Sequence, residues 1–425
     1  MAKFLKWAAI LLAAFVLLLV GVAVALQNWL RTDDFRQRVE QQAGAALGVP
    51  LRLGRLSVDL WPLPAVAADD VQLLTRPALT VGRVELRPVW SGLLERRLEI
   101  ATLVVRQAVL PQAGIAALGN AMQKKEKAAP KPAAPASQGE GPSFVAFPRR
   151  ALLDEISWID GKGQRMTVHA EADLGDDGML ERASFKILQG RFAGTQGSIE
   201  RQGEQWPLRV DIGGGRIMGA LRLVAGKAAG TQVLQGQFNT DDVEVSALTA
   251  PSKVLTGKLQ AQTSIRSEFR EIGHVADTMN TQTRFTVRDA LVDGIDLQKA
   301  VQTVGLSRGG STRLDTLAGQ VSTQGKSVQL SNLVATSGSL SASGNVAIAP
   351  SKALSGRVNV DLTSTKGAIG VPLVVGGTVD APSVTLTRGA LVGAAVGTLI
   401  VPGAGTAAGA TAGDKIGETL RGLFK

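Results

Sequence analysis

Residues 357–363 read RVNVDLT, and their alternation decides the fold. Val358, Val360 and Leu362 fall on one face of an extended chain, while Arg357, Asn359 and Asp361 fall on the other. Period two with one wet and one apolar face is the pattern of an antiparallel strand packed on a single side. The same alternation recurs at 168–174, 208–212, 217–223, 259–265, 285–287, 328–330 and 384–386, each run punctuated by Gly, Asp, Asn or Ser as short strands joined by turns require. The Ser-rich stretch 331–344 alternates with Leu and Ala and reads as strand, not as a nucleophile elbow.

Upstream the period changes. Thr32 can cap a helix with Asp33 and Asp34 in its first turn, running through Phe35, Val39, Ala43 and Leu47 to a stop at Gly48. Alternation then predicts strands through Leu51, Leu53, Leu56, Val58 and Leu60, and again at 81–86 and 98–105. Residues 121–148 are rich in Lys, Ala and Pro with little to bury, so they read as a flexible linker that splits the chain into two folded parts, 29–120 and 149–388. One further short helix is expected around 296–304, with Asp296 as cap and Gly305 as terminator.

Both ends carry membrane signals. Residues 7–26, WAAILLAAFVLLLVGVAVAL, hold no charge, and about 20 such residues cross a ~30 Å hydrocarbon core as a helix. Trp7 and Trp29 bracket the run and Leu11, Phe15 and Leu18 lie inside it, which predicts an anchor over residues 1–28 with indoles at headgroup level. Lys3 and Lys6 favour an inside N-terminus with the bulk exported, although Arg31, Arg36 and Arg38 on the far side rival them. Ala23-Val24-Ala25 also has the form of a signal-peptide cleavage site, but the run exceeds the ~7–15 residue core of such peptides.

In the tail, 389–425, Gly389, Gly393 and Gly397 repeat every four residues, and Gly405, Gly409 and Gly413 repeat the device after Pro402. Small-residue stripes let helices approach closely in lipid, so this glycine zipper predicts a membrane-inserting or self-associating element; a Gly/Ala linker or a packed soluble helix is the alternative. Residues 389–401 reach only about 20 Å as a helix, too short to span alone. Ile416, Leu420, Leu423 and Phe424, beside Lys415, Arg421 and Lys425, have the spacing of a helix lying on a membrane surface.

Composition narrows the function classes. The 425 residues include no Cys, so disulfides, thiolate nucleophiles and Cys-ligated metals are excluded. Without Tyr, and with aromatics at 4%, the net charge of +10 lacks the stacking surface of a nucleic-acid binder. Anionic headgroups are a better partner for that charge; a merely soluble exterior is the other reading. His169 and His274, the only histidines, fall in no metal-ligand spacing. Asp176-Asp177-Gly178 reads as a hairpin turn and not a calcium loop, and Gly213-Gly214-Gly215 reads as a bend in the sheet. The chain is expected to be no enzyme and to need no cofactor.

The stretch 36–73, RQRVEQQAGAALGVPLRLGRLSVDLWPLPAVAADDVQL, resembles the start of the AsmA-like proteins of Gram-negative envelopes, relatives of the TamB and YhdP type. DGIDLQKA at 293–300, the run 312–346 and VPLVVGGTVDAPSVTL at 371–386 resemble their C-terminal part. The resemblance implies an inner-membrane-anchored periplasmic protein concerned with outer-membrane homeostasis, carrying phospholipid along an apolar groove. Its alternative is a non-transporting scaffold for outer-membrane protein precursors or their assembly machinery. The expected fold is mainly β: an N-terminal transmembrane helix, a short helix, a curled antiparallel groove- or taco-like sheet, and a helical glycine-zipper tail. Val358, Val360 and Leu362 are the expected groove lining, although the same face can pack into a closed core.

Overall fold

The computed structural model describes residues 32–59, 65–89, 97–128, 143–145, 148–250, 253–270, 275–302, 309–325, 327–338, 340–364 and 367–387. The expected anchor, the Trp61-Pro62 step, His274, Gly305 and the glycine-zipper tail lie outside them. Among the described residues the fold is mainly β with few helices, and no helix is long and apolar enough to cross a membrane. The chain divides into two compact units, Met1–Gly194 and Thr195–Lys425.

In the first unit, α1 (Asp33–Leu47) starts at Thr32, whose backbone is extended as at an N-cap but whose side chain makes no capping bond. Asp33 pairs instead with Arg36 at 2.7 Å. The helix stops at Gly48, where φ of 72° places the residue in the left-handed region and its N–H reaches the Gly44 carbonyl. Strands β1 (Leu51–Arg52) and β2 (Arg55–Asp59) both pair with β3 (Ala65–Leu73), which continues antiparallel into β4 (Leu79–Pro88) and β5 (Arg97–Pro111). The chain leaves through α2 (Gln112–Ala128) and returns as β6 (Ser143–Val145) and β7 (Arg150–Ile159), both parallel to β5. Antiparallel β8 (Arg165–Leu174) and β9 (Leu180–Gln189) follow.

Two expectations change here. The first eight residues of the expected linker, 121–128, end a helix, because Ala, Met, Gln, Lys and Glu are strong helix formers. Nor does the linker divide the chain into its compact units. Thr102 to Pro111 pair in parallel with Arg150 to Ile159, and a parallel pair needs a crossover of a dozen or more residues, which residues 112–149 supply.

The second unit is a meander. Strands β10 (Gln196–Glu200), β11 (Gln205–Ile212), β12 (Gly215–Ala225), β13 (Gln232–Glu244), β14 (Leu255–Phe269) and β15 (Asn280–Asp293) pair in order, each antiparallel to the next. Strands β16 (Ser311–Gln324), β17 (Ser327–Ser337), β18 (Leu340–Ile348), β19 (Leu354–Ser364), β20 (Gly367–Thr378) and β21 (Ala381–Leu386) continue it. The first and last strands do not pair with each other, so the sheet stays open. Two short helices interrupt it: α3 (Val245–Thr249) follows β13, and α4 (Leu297–Gln302) follows β15, its Lys299 N–H held at 2.8 Å by Asp296. Asp177 accepts the Met179 N–H at 2.9 Å in the expected hairpin turn. The triple glycine is not a bend within a strand: Ile212 pairs with Gly215, so Gly213 and Gly214, at φ 58° and 74°, form a two-residue hairpin turn, the geometry that demands positive φ at both positions.

The alternation is broken in one recurrent way. Asp70, Gln107, Glu155, Asp242, Asp289 and Asn332 all have φ between 51° and 54°. Each follows another polar residue and precedes an apolar one: Val71, Ala108, Ile156, Val243, Ala290 and Leu333. A residue in the left-handed region lets the pleat skip a step, which keeps the apolar residues on one face after a doubled polar pair. Ala68 and Val71 accordingly pack in the same cluster although an odd spacing separates them. Asp289→Val should lower stability by about 1–2 kcal/mol, since a β-branched residue is disfavoured at that φ, whereas Asp289→Gly should not; denaturant unfolding midpoints check this.

Candidate functional site

Cross-strand register carries the apolar face through the second unit. Val210, Ile217, Thr240, Ala261 and Phe285 form one row, and Val321, Leu330 and Val346 belong to a row further along the strands. The facing rows are Gln, Ser, Asn and Arg, so the sheet is amphipathic. From β11 to β19, at ~4.8 Å per strand, the apolar face is roughly 38 Å across.

That face is closed at one end. Val287, Leu314, Val360, Val371 and Leu373 are at most 3% exposed and share a core with Val245 of α3 and Ala300 of α4. Moving away from the helices, burial falls strand by strand. Ala335 of β17 is buried while Leu330 and Val328 are partly exposed, and Ala342 of β18 is buried while Val346 and Ile348 are partly exposed. Val321, Val328, Leu330 and Ile348 lie outside the core cluster.

The residues singled out in the sequence fall on the closed side. Val360 stands opposite Ala342 and Val371 and is 0% exposed. Val358, opposite Gly344 and Leu373, packs against the same cluster, and Leu362 stands in register with Leu340 and Ile369. Val360 is thus in the closed core and Val358 packs against it, whereas Val321, Val328, Leu330 and Ile348 occupy the half-covered part. Their alternation was visible in the sequence, but the helices that decide which end closes come from distant segments. Trp7, Leu11, Phe15, Leu18 and Trp29, and the six glycines from Gly389 to Gly413, lie outside the described residues.

In the first unit, Phe35 and Val39 of α1 cover Leu53, Leu56 and Val71. The opposite face is charged. Glu85, 5% exposed, accepts bonds from Arg83 at 2.8 Å, Arg106 at 3.1 Å and Arg87 at 3.3 Å, while Arg83 also reaches Asp69 at 2.9 Å. Burial pushes the Glu85 carboxyl up, but the Arg83 hydrogen bond and the charges of Arg106, Arg83 and Arg87 outweigh it and hold it below the usual carboxylate range. His169 places Nδ1 3.0 Å from Asp154. Among the described residues, no group of three or more His, Asp or Glu side chains is arranged to hold a metal ion.

An open, one-sided sheet closed by helices at one end defines a class of β-rich proteins that present apolar surface. The N-terminal part of the chain is AsmA-like: a family model described as the AsmA family matches residues 1–142. The C-terminal stretches that resemble the family lie beyond that match. No curated protein and no solved structure matches the chain.

Two outcomes follow. Val360→Asp buries an unpaired charge in the closed core and should cost several kcal/mol, whereas Leu330→Asp, at a partly exposed position, should cost much less; circular dichroism during denaturation separates them. A carboxyl held below its ordinary pKa contributes stability that is present above the unfolded value and lost as pH falls through the folded one. Glu85→Gln should therefore flatten the acid limb of the stability curve of the first unit below about pH 4.5, read by tryptophan fluorescence.

Proposed function

We propose that this is an inner-membrane-anchored periplasmic protein that supports outer-membrane homeostasis by moving phospholipid along the apolar sheet face of its second unit. The observation that carries this reading is the partly exposed run of Val321, Val328, Leu330 and Ile348, continuous in register with a closed core yet outside it. An acyl chain laid on such a surface gains about 0.8 kcal/mol per methylene removed from water. The closed end, plugged by α3 and α4, gives a chain a fixed stop, and the open end gives it an entrance. The AsmA likeness over residues 1–142 supports an envelope setting, and the apolar run at 7–26 supports the anchor. Phospholipids are the partners this reading requires.

A scaffold for outer-membrane protein precursors is the second reading. It rests on β21, which among the described residues is paired along β20 alone and so offers a strand edge for addition.

A photo-crosslinking side chain introduced in the full-length protein in cells tests both. Adducts of phospholipid at Leu330 and none at Gln329, its neighbour on the polar face, support transfer. Equal labelling at both positions, or none at Leu330, overturns it. Capture of a membrane-protein precursor at Thr385 of β21 without lipid at Leu330 supports the scaffold.

A further inference from the structure

The polar face of the second unit is a site in its own right. A twisted sheet is saddle-shaped, so each of its faces is concave along one diagonal. On the polar face this curvature holds two adjoining cavities of about 630 and 690 Å³, whose linings share Gln237, Ser264 and Gln282. These three are register partners across β13, β14 and β15, and the row continues to Ser322 of β16. A flanking row runs Asn239, Gln262, Arg284, Gln320 and Ser331, and the one on the other side pairs Gln235, Arg266 and Asn280.

The chemistry of this lining is selective. Neither cavity has an Asp or Glu in its wall, although Asp and Glu make up 36 residues of the chain. Arg222 is paired with Glu204, but Arg266 and Arg284 have no acidic partner among the described residues and are exposed. The register rows are amide and hydroxyl, with Ala220, Leu221, Gly236, Ile265, Phe238 and Val321 completing the walls: each Gln or Asn offers two N–H donors and a carbonyl acceptor, and each Ser one of each. The strands are central, with backbone groups consumed by their neighbours, so a peptide cannot add to them by β-pairing. Phe238, which belongs to an apolar row, is the one aromatic residue in either wall, so the polar rows lack the run of stacking rings a nucleic acid needs. What remains is a ligand that presents many hydroxyls to amides and a few anionic groups to guanidiniums.

We propose that this trough binds an acidic polysaccharide, its hydroxyls on the Gln and Ser rows and its carboxylate or phosphate groups on Arg266 and Arg284. Guanidinium forks pair with such oxyanions in charge-assisted hydrogen bonds. The Gln, Ser and Arg side chains it uses are on the face opposite the apolar rows, so the proposal does not rest on lipid transfer, although Val321 borders both surfaces.

Calorimetric titration of the detergent-solubilised full-length protein tests it, with hexagalacturonate as the acidic probe, maltohexaose as the neutral one and polyglutamate as a bare-charge control. Hexagalacturonate should bind, and the paired change Arg266→Gln with Arg284→Gln should weaken it by about tenfold or more. Gln237→Leu with Gln282→Leu should weaken hexagalacturonate and any maltohexaose binding together. Leu330→Ser, on the apolar face, should change neither, whereas the crosslinking result at position 330 bears on transfer alone. All four altered polar positions are exposed, so the variants keep the core intact. Absence of hexagalacturonate binding, equal binding by the arginine variant, or polyglutamate binding of the same strength overturns the proposal.

Discussion

Everything in this molecule depends on one imbalance: a sheet with one apolar face must take that face out of water, and a meander supplies no second sheet to do it. In each unit a few helical residues supply the cover. Phe35 and Val39 of α1 lie on Leu53, Leu56 and Val71 in the first unit, and Val245 and Ala300 enter the core of the second. Cover of that size closes only part of the surface it meets. The remainder is neither core nor ordinary exterior, and this intermediate burial is what the proposed function rests on.

The polar faces are built by different rules in the two units. In the first, Glu85 gathers three arginines and Asp69 a shared one, a network whose opposing charges satisfy one another. In the second, the rows across β13 to β16 carry amides and hydroxyls, with Arg266 and Arg284 among them lacking an acidic partner among the described residues, while Arg288 pairs with Asp242. A self-satisfied network has little left to offer a ligand, whereas an amide row has donors and acceptors to spare.

Much of the fold was legible because period two is a local property. Arg357 to Thr363 reveal a strand without reference to anything else, and Gly48 ends α1 for reasons contained in its own backbone. The parallel pairing of β7 with β5 was not legible, since nothing near residue 150 specifies a partner at residue 102. Nor was the closed end: Val360 looks the same in sequence as Val346, yet it is fully buried in a core to which α3 and α4, from far earlier in the chain, contribute. The left-handed residues had a signal that alternation alone treats as noise, the doubled polar pair in Asp69-Asp70, Asp154-Glu155, Asp241-Asp242 and Ser331-Asn332.

In the second unit every strand pairs only with its predecessor and successor. Such an array is quasi-one-dimensional, and its stability is a sum of nearest-neighbour terms. Inserting one more hairpin outside the stretch that α3 and α4 cover would leave the other strand pairings in place and widen the amphipathic surface by roughly 10 Å. Width is therefore a free variable in this architecture, set by how many hairpins a gene encodes and not by the closure condition that fixes the size of a barrel.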